Sequence, residues 1–153
     1  MRHTRAMEYR HTQWGYTAIP TFLLFAVIIP ITSSDDETTA AISAMLIAFT
    51  IAILAIVLLF SRLEVTVSEG RIVAAFGFGR PHREIDLADV IAVRQVRNSW
   101  IQGWGLRRVT NGWMYNVWGL DAVEVEISSD EVFRIGTNDP ENLFAVISLQ
   151  IGQ

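Results

Sequence analysis

The sequence predicts a membrane α-hairpin of two transmembrane helices, followed by an α+β domain. We expect that domain to be an antiparallel β-barrel or β-sandwich of six to seven strands, closed by a C-terminal helix. Three observations predict this fold class. Two long stretches near the N-terminus carry no charge, residues 14–31 and 38–61. From Arg62 onward apolar and polar residues alternate, which is typical of half-buried strands, and after Asp139 the spacing becomes helical.

The uncharged stretches place the two predicted transmembrane helices at residues 14–31 and 40–60. A bilayer core of about 30 Å requires about 20 helical residues, which the second stretch supplies in full. The first stretch is shorter and carries Pro20 and Pro30 near its ends, where transmembrane helices tolerate proline. Two other interpretations remain open: a helical hairpin buried in a soluble protein, and a cleaved signal peptide over the first stretch.

The charges around the predicted hairpin indicate its orientation. Three arginines lie in the tail, residues 1–13: Arg2, Arg5 and Arg10. The external linker, residues 32–39, reads TSSDDETT and has acids only, whereas Arg62 follows the second span directly. Because positive charge stays on the cytoplasmic side, we expect a multi-pass protein of the inner (cytoplasmic) membrane with both termini in the cytoplasm.

Four alanines spaced four residues apart form a ridge in the second predicted span: Ala40, Ala44, Ala48 and Ala52. Small residues at this spacing allow another helix to approach closely in lipid. The partner is either the first span or the same ridge on a second copy of the chain, which would give a homodimer.

The remaining residues, 62–153, are expected to form one cytoplasmic domain. Its clearest strand places Val123, Val125 and Ile127 on one face and Glu124 and Glu126 on the other. The closing helix is predicted from Asp139 as N-cap, Pro140 at the first helical position and an apolar stripe further on. The members of that stripe are Leu143, Phe144, Ile147 and Ile151.

Several short stretches, taken in order, carry a resemblance to a known family. They are GWGLR at 103–107, YNV at 115–117, GLDAVE at 119–124, FRIGT at 133–137 and DPE at 139–141. With them the sequence resembles the bacterial pleckstrin-homology-like (PH-like) domain family, small membrane proteins in which one or two hydrophobic spans precede such a domain. The resemblance implies the fold and the membrane setting, and it implies little about function because a fold does not name an activity.

The composition argues against several function classes. There is no cysteine, which excludes disulfides, thiol nucleophiles and thiolate metal sites. A net charge of −4 argues against nucleic acid as a partner. The three histidines, His3, His11 and His82, are scattered and do not have the spacing of metal ligands. We therefore predict no enzyme, no cofactor and no metal site.

The segment 98–119 holds four of the five tryptophans and supplies the main candidate binding residues. These are Trp100, Trp104, Arg107 and Arg108, which we expect in a loop between strands. Tryptophan suits the lipid headgroup zone and arginine holds phosphate through paired hydrogen bonds. The alternative is that Trp100 and Trp104 only help to build the domain. Trp113 is expected in its core, beyond the turn at residues 111–112.

Arg80 and Arg83, on either side of Pro81, are a second candidate contact for lipid headgroups or a partner, with solvated loop charges as the alternative. The functional hypothesis is a non-catalytic membrane protein whose domain docks a membrane or cytoplasmic protein or contacts anionic lipid at the inner leaflet. One alternative is an accessory subunit of a membrane transport or secretion complex, acting mainly through its hairpin. Another is an envelope sensor whose external acids, residues 35–37, bind cations.

Overall fold

A computed structural model of the chain describes residues 8–16, 19–23, 25, 37–127 and 130–152. The described part contains nine strands and two α-helices whose first and last residues are defined. Residues 19–23 and 25 are helical as well. In chain order the elements are β1 (Tyr9–Trp14), α1 (Glu37–Leu59), β2 (Arg62–Ser68), β3 (Arg71–Phe76), β4 (His82–Asp86), β5 (Val90–Arg97), β6 (Gly105–Val109), β7 (Gly112–Asn116), β8 (Asp121–Ile127), β9 (Glu131–Gly136) and α2 (Pro140–Ile151).

The strands form two sheets that enclose one apolar core. The first sheet has the order β1-β2-β3-β4 and the second the order β5-β8-β9-β7-β6. Neighbouring strands are antiparallel except β7 and β9, which run parallel. Phe76 of the first sheet contacts Tyr115 of the second, with ring centroids 4.9 Å apart, and Tyr115 contacts Phe133. The domain is therefore a two-layer β-sandwich.

The prediction of a two-helix membrane hairpin followed by an antiparallel barrel or sandwich of six to seven strands is wrong. Among the described residues, one helix is long and apolar enough to cross a membrane, Ala40–Leu59. The strands that the structure describes form two open sheets and number nine. The chain passes from β4 to β5 through a short turn, Leu87–Asp89, but β5 pairs with β8 and so begins a second sheet instead of closing the first.

Strand β1 arises from the segment that the sequence assigns to an N-terminal tail. It pairs with β2 from Tyr9 opposite Val67 to Trp14 opposite Arg62. The sandwich is therefore built from residues on both sides of the apolar helix, and a domain that begins at Arg62 lacks its first strand. Arg2, Arg5 and linker residues 32–36 lie outside the described residues, while the last linker residues belong to α1.

The sandwich-facing side chains of β1 are polar, which explains why apolar periodicity does not reveal this strand. Each bonds to a distant partner: Tyr9 donates to the Asp139 carboxylate, His11 bonds to Asn138, and the Gln13 amide donates to the Trp118 carbonyl. Burial and then the neighbouring carboxylate raise the pKa of Tyr9, so its hydroxyl stays protonated and remains a donor. These bonds attach β1 to the loop before α2 and to the second sheet.

The pairing of β1 with β2 also fixes where the chain leaves and re-enters the sandwich. It leaves after Trp14 and returns at Arg62, which are paired neighbours. The Gly15 amide donates to the Ser61 carbonyl over 2.6 Å and closes this junction. Residues 15–61, which we call the apolar excursion, include the 23 residues of α1, a length of about 35 Å. Both ends of the excursion are therefore attached to one point of the sandwich.

Helix α2 lies where the sequence predicts the closing helix, and it packs against β5 and β8. It buries Leu143, Val146 and Ile147 in the core. Asp139 occupies the N-cap position without a side-chain bond to the helix backbone. Its carboxylate accepts hydrogen bonds from Tyr9 and Asn142 instead, so this aspartate connects β1 to the start of α2.

A charged row crosses the outer face of the five-stranded sheet. The register aligns Arg94, Glu124, Arg134, Met114 and Arg107, one from each strand. Glu124 accepts hydrogen bonds from Arg94 over 3.0 Å and from Arg134 over 2.5 Å. Burial by itself would raise the pKa of Glu124, but the two guanidinium groups outweigh it and hold this pKa below its ordinary value. Arg107, at the far end of the row, has no carboxylate partner among the described residues.

Candidate functional site

The loops of the sandwich lie at two ends that differ in chemistry. The apolar excursion joins one end, which we call the aromatic end because its loops expose six aromatic side chains. They are Trp14, Tyr16, Phe78, Trp100, Trp104 and Trp118. The opposite end, which we call the distal end, holds the β2–β3, β4–β5, β6–β7 and β8–β9 turns. Those turns and the strand ends beside them carry one arginine, Arg71, and five acids: Glu69, Asp86, Asp89, Asp130 and Glu131. Glu69 is ion-paired with Arg71, and Glu131 is ion-paired with Arg83.

Short contacts hold the loops of the aromatic end together. Gly77, which begins the β3–β4 loop, donates its amide to the Arg62 carbonyl over 2.9 Å. Gly15 lies so close to Val117, at the start of the β7–β8 loop, that a Cβ on Gly15 would stand 2.5 Å from the Val117 carbonyl oxygen. Both contacts bring loop residues to the point where the apolar excursion begins and ends. The exposed aromatic side chains therefore surround the base of α1.

Three of the aromatic side chains form a cluster. Trp104 and Trp118 lie nearly parallel, with ring centroids 4.9 Å apart, and Tyr16 meets Trp118 edge-on at 5.8 Å. Together with Ile19 and Pro20 they line an apolar groove of about 490 Å³. The cluster therefore extends from the sandwich to Tyr16, Ile19 and Pro20, which belong to the apolar excursion.

Two other aromatic side chains of this end project into solvent. Phe78 is 95% exposed and Trp100 is 78% exposed. Ile101, next to Trp100 in the short 3-10 turn Trp100–Gln102, is exposed as well. Large apolar side chains that project together from loop tips mark a surface that contacts another apolar phase or a partner. Their exposure at the base of an apolar helix favours lipid as that phase.

The structure brings three of the predicted binding residues, Trp100, Trp104 and Arg107, to the aromatic end. Arg107 lies on strand β6, not in the predicted loop, and its Nε donates to the Trp104 carbonyl over 3.1 Å. Arg80 is exposed in the β3–β4 loop of the same end, beyond Phe78. Two arginines at this end, Arg80 and Arg107, thus have no carboxylate partner within the described part of the chain.

The other two predicted arginines are placed elsewhere. Arg108 lies on the opposite face of β6 from Arg107, with its guanidinium 5.8 Å from the Trp113 ring centroid. Arg83 forms an ion pair with Glu131 at 2.7 Å and lies over the Phe133 ring. The predicted core position of Trp113 is wrong, because this side chain is 38% exposed. It lies on the core-facing side of the sheet but at the open rim, where Arg108 covers it in place of a second sheet.

Sequence reasoning assigned no role to Phe78 or Trp118. The alternating pattern extends β3 as far as Phe78, whereas the strand ends at Phe76 and Gly77 turns the chain with φ 44°. The sequence does contain a signal for them, because Phe78 and Trp118 each follow a strand within two residues. It identifies a common surface only when the strand directions are known.

The alanine ridge lies on α1, and its four members are exposed in the described structure. No described residue packs against them as a second helix would. On another part of α1, Leu54 and Leu58 line an apolar groove of about 380 Å³ together with Ile19, Phe22 and Leu23. The role of the ridge in helix packing stays a prediction.

No family model, curated protein or solved structure matches the chain. The resemblance to the bacterial PH-like family therefore stays a prediction as well. Among the residues that the structure describes, no three histidine, aspartate or glutamate side chains gather as metal ligands. The chemistry that the aromatic end offers is partition into a lipid headgroup zone, where amphipathic rings and arginines are favoured.

Proposed function

We propose that this protein is a non-catalytic, membrane-anchored β-sandwich that holds its aromatic end in the lipid headgroup zone. Helix α1 anchors it in the bilayer, and the sandwich is presented at the membrane surface. The observation that carries the proposal is the position of the six exposed aromatic side chains around the base of one exposed apolar helix. Aromatic rings with a polar edge concentrate at the two boundaries of a bilayer.

The exposure of α1 supports anchoring. Ala40–Leu59 has the length and composition of a membrane span, and almost none of it is buried against the sandwich. A helix that is apolar on all sides requires burial in a large core or in a membrane. Because β1 pairs with β2, α1 ends at the point where the sandwich begins, so the sandwich lies next to one end of the proposed anchor.

The charge distribution supports the orientation and the choice of leaflet. Arg80 and Arg107 lie at the aromatic end, whereas the distal end carries five acids and one arginine. An anionic cytoplasmic leaflet attracts each nearby arginine by about 1 kcal/mol and repels acids. The same field thus attracts one end and repels the other, which favours a sandwich at the inner leaflet with its aromatic end toward lipid.

Two single-tryptophan versions of the full chain test this orientation. One keeps only Trp104 and the other only Trp113, with phenylalanine at the other four positions, and both are reconstituted in vesicles of bromine-labelled phosphatidylcholine. Because bromine quenches indole on contact, we expect Trp104 to be quenched several-fold more strongly than Trp113. Far-UV circular dichroism in both versions provides the control for folding.

Equal quenching at the two positions, or none at either, would contradict the proposed orientation. A sedimenting but unquenched protein would favour docking of a protein partner on the aromatic end. A chain that is extracted from membranes by alkaline carbonate would contradict anchoring by α1.

A further inference from the structure

We propose that the groove between the last turns of α1 and residues 103–107 binds one phospholipid molecule, with an acyl chain in the groove and the phosphate on Arg107. The inference rests on the proposed function, since the groove reaches lipid only if the aromatic end lies at the bilayer surface. The inference adds one specific phospholipid-binding site to a surface that the proposed function only places in the headgroup zone.

The groove has the size and lining that an acyl chain requires. Its volume is about 660 Å³, within the range of about 300–1,000 Å³ found for small-molecule sites. Six apolar side chains line it: Ile56, Val57, Phe60, Trp104, Leu106 and Val117. The first three come from α1 and its end, so the groove continues the surface of the proposed membrane helix.

Two glycines shape the mouth of the groove. Gly105 has φ 93°, and a Cβ at this position would meet no atom within 4 Å, so the backbone here borders open space. Gly103 has φ 67° and lies against the Arg107 guanidinium, with 3.5 Å between the position of a Cβ and Nη2. The turn between them therefore brings Arg107 to the groove, and its guanidinium is the only charged group among the described residues of the lining.

Arg107 holds its guanidinium at the groove in an orientation that suits an anion. Its Nε is held by the Trp104 carbonyl, which orients the guanidinium. Its two terminal nitrogens have no carboxylate partner in the described part of the chain. The same row of the sheet shows the contrast, because Arg134 is ion-paired with Glu124 and Arg94 with both Glu124 and Glu126. A fixed guanidinium with free N–H groups is suited to paired hydrogen bonds with phosphate.

The combination of one apolar channel and one cationic edge selects a phospholipid over a peptide. A peptide segment would bring backbone amides and carbonyls into the groove, and its apolar walls offer them no partners. A lipid brings only hydrocarbon to those walls and places its phosphate where the chain ends. The groove also opens beside the end of the proposed membrane helix, at the depth where headgroups lie.

The test measures phospholipid retained by the full chain in phosphatidylcholine nanodiscs that contain phosphatidylglycerol as a minor component. After transfer to a mild detergent, native mass spectrometry counts the phosphatidylglycerol bound to wild type, Arg107→Gln and Arg108→Gln. Loss of a charged, paired hydrogen bond weakens binding by about tenfold or more. We expect that loss for Arg107→Gln, with wild-type retention for Arg108→Gln.

Arg108→Gln is a matched control, since Arg108 is the next residue of β6, has the same charge and faces the opposite way. Equal loss in both variants would overturn the site and leave only general attraction of arginine to anionic lipid. Unchanged retention in Arg107→Gln would also overturn it, while the protein would stay membrane-bound and the proposed function would stand. Glycerol 3-phosphate should not displace the lipid, and displacement would contradict the acyl-chain groove.

Discussion

The two ends of the sandwich are built from the same strands and differ in almost everything that their loops expose. The aromatic end presents Phe78 and Trp100, which project freely, and the stack of Trp104 on Trp118. The distal end presents short polar turns that carry acids. The core between them is continuous and apolar, so the core does not require this difference.

The contrast shows how a small sandwich separates stability from surface chemistry. Buried residues such as Phe76 and Phe133 stabilise both sheets whatever lies at the ends. Loop residues contribute little to the core and are free to match their surroundings. An end with exposed rings and uncompensated arginines matches a headgroup zone, and an end with acids matches water. Because α1 joins the sandwich at the aromatic end, the end that matches a headgroup zone is also the end next to the proposed membrane anchor.

Glu124→Gln is expected to produce the largest change in fold stability, because Glu124 lies between the ends and binds two arginines. Loss of its charge weakens three charge-assisted hydrogen bonds, one from Arg94 and two from Arg134, and leaves the partly buried Arg134 without a counter-charge. We expect the free energy of unfolding to fall by about 2–3 kcal/mol. Urea unfolding of the full chain in detergent, followed by circular dichroism, measures this change.

The pH dependence of the same variant gives an independent check. The pKa of Glu124 in the folded protein lies below its ordinary value. Its contribution to the free energy of unfolding is therefore fully present above about pH 4.3, the ordinary value for glutamate. That contribution is lost as the pH falls through the folded pKa. The difference between wild type and Glu124→Gln should therefore shrink on acidification. A stability difference that does not change with pH would contradict the role of the Glu124 charge. Altered quenching of Trp104 in the Glu124→Gln variant would show that the aromatic end depends on the charged row.

Gly15→Ala is expected to have the next largest effect, because it disturbs the junction of the aromatic end alone. Its Cβ would stand 2.5 Å from the Val117 carbonyl oxygen, too close for any real contact. Such overpacking costs about 2 kcal/mol. The matched control at the distal end is Gly70→Asn, since Gly70 has φ 76° with open space around it and asparagine tolerates that conformation. Urea midpoints of both variants measure the effects, and equal losses would contradict a tight junction at one end only.

The smallest effect on stability is expected at Phe78, where exposure predicts a change within about 0.5 kcal/mol. Because the chain has no cysteine, Phe78→Cys and Ile91→Cys each accept one nitroxide label cleanly. Ile91 is also exposed but lies near the start of β5, toward the distal end. In vesicles, spin relaxation should show the label at 78 accessible to oxygen and the label at 91 accessible to a water-soluble nickel complex. The reverse pattern would place the wrong end at the membrane.

The sequence predicts some elements well because their cause is local. The alternation through Val123, Val125 and Ile127 places β8, and the Asp139-Pro140 pair marks the start of α2. Strand β6 is missed because Arg107 and Arg108 occupy both faces of an edge strand and leave no alternation. The parallel pairing of β7 with β9 is missed because it depends on which strands meet after the chain has turned.

The candidate site also has features that the sequence predicts and features that it does not. The presence of tryptophan and arginine in residues 98–119 identifies a segment suited to a bilayer surface, and composition alone shows this. An apolar helix long enough to span a membrane is also predictable from the sequence, because hydropathy and length are properties of a local run of residues. Three features follow from the folded structure alone: the cluster of Tyr16, Trp104 and Trp118, the opposite directions of Arg107 and Arg108, and the place of β1 in the first sheet. These depend on contacts between residues far apart in the chain, whose polar partners and strand directions leave no periodic pattern in the sequence.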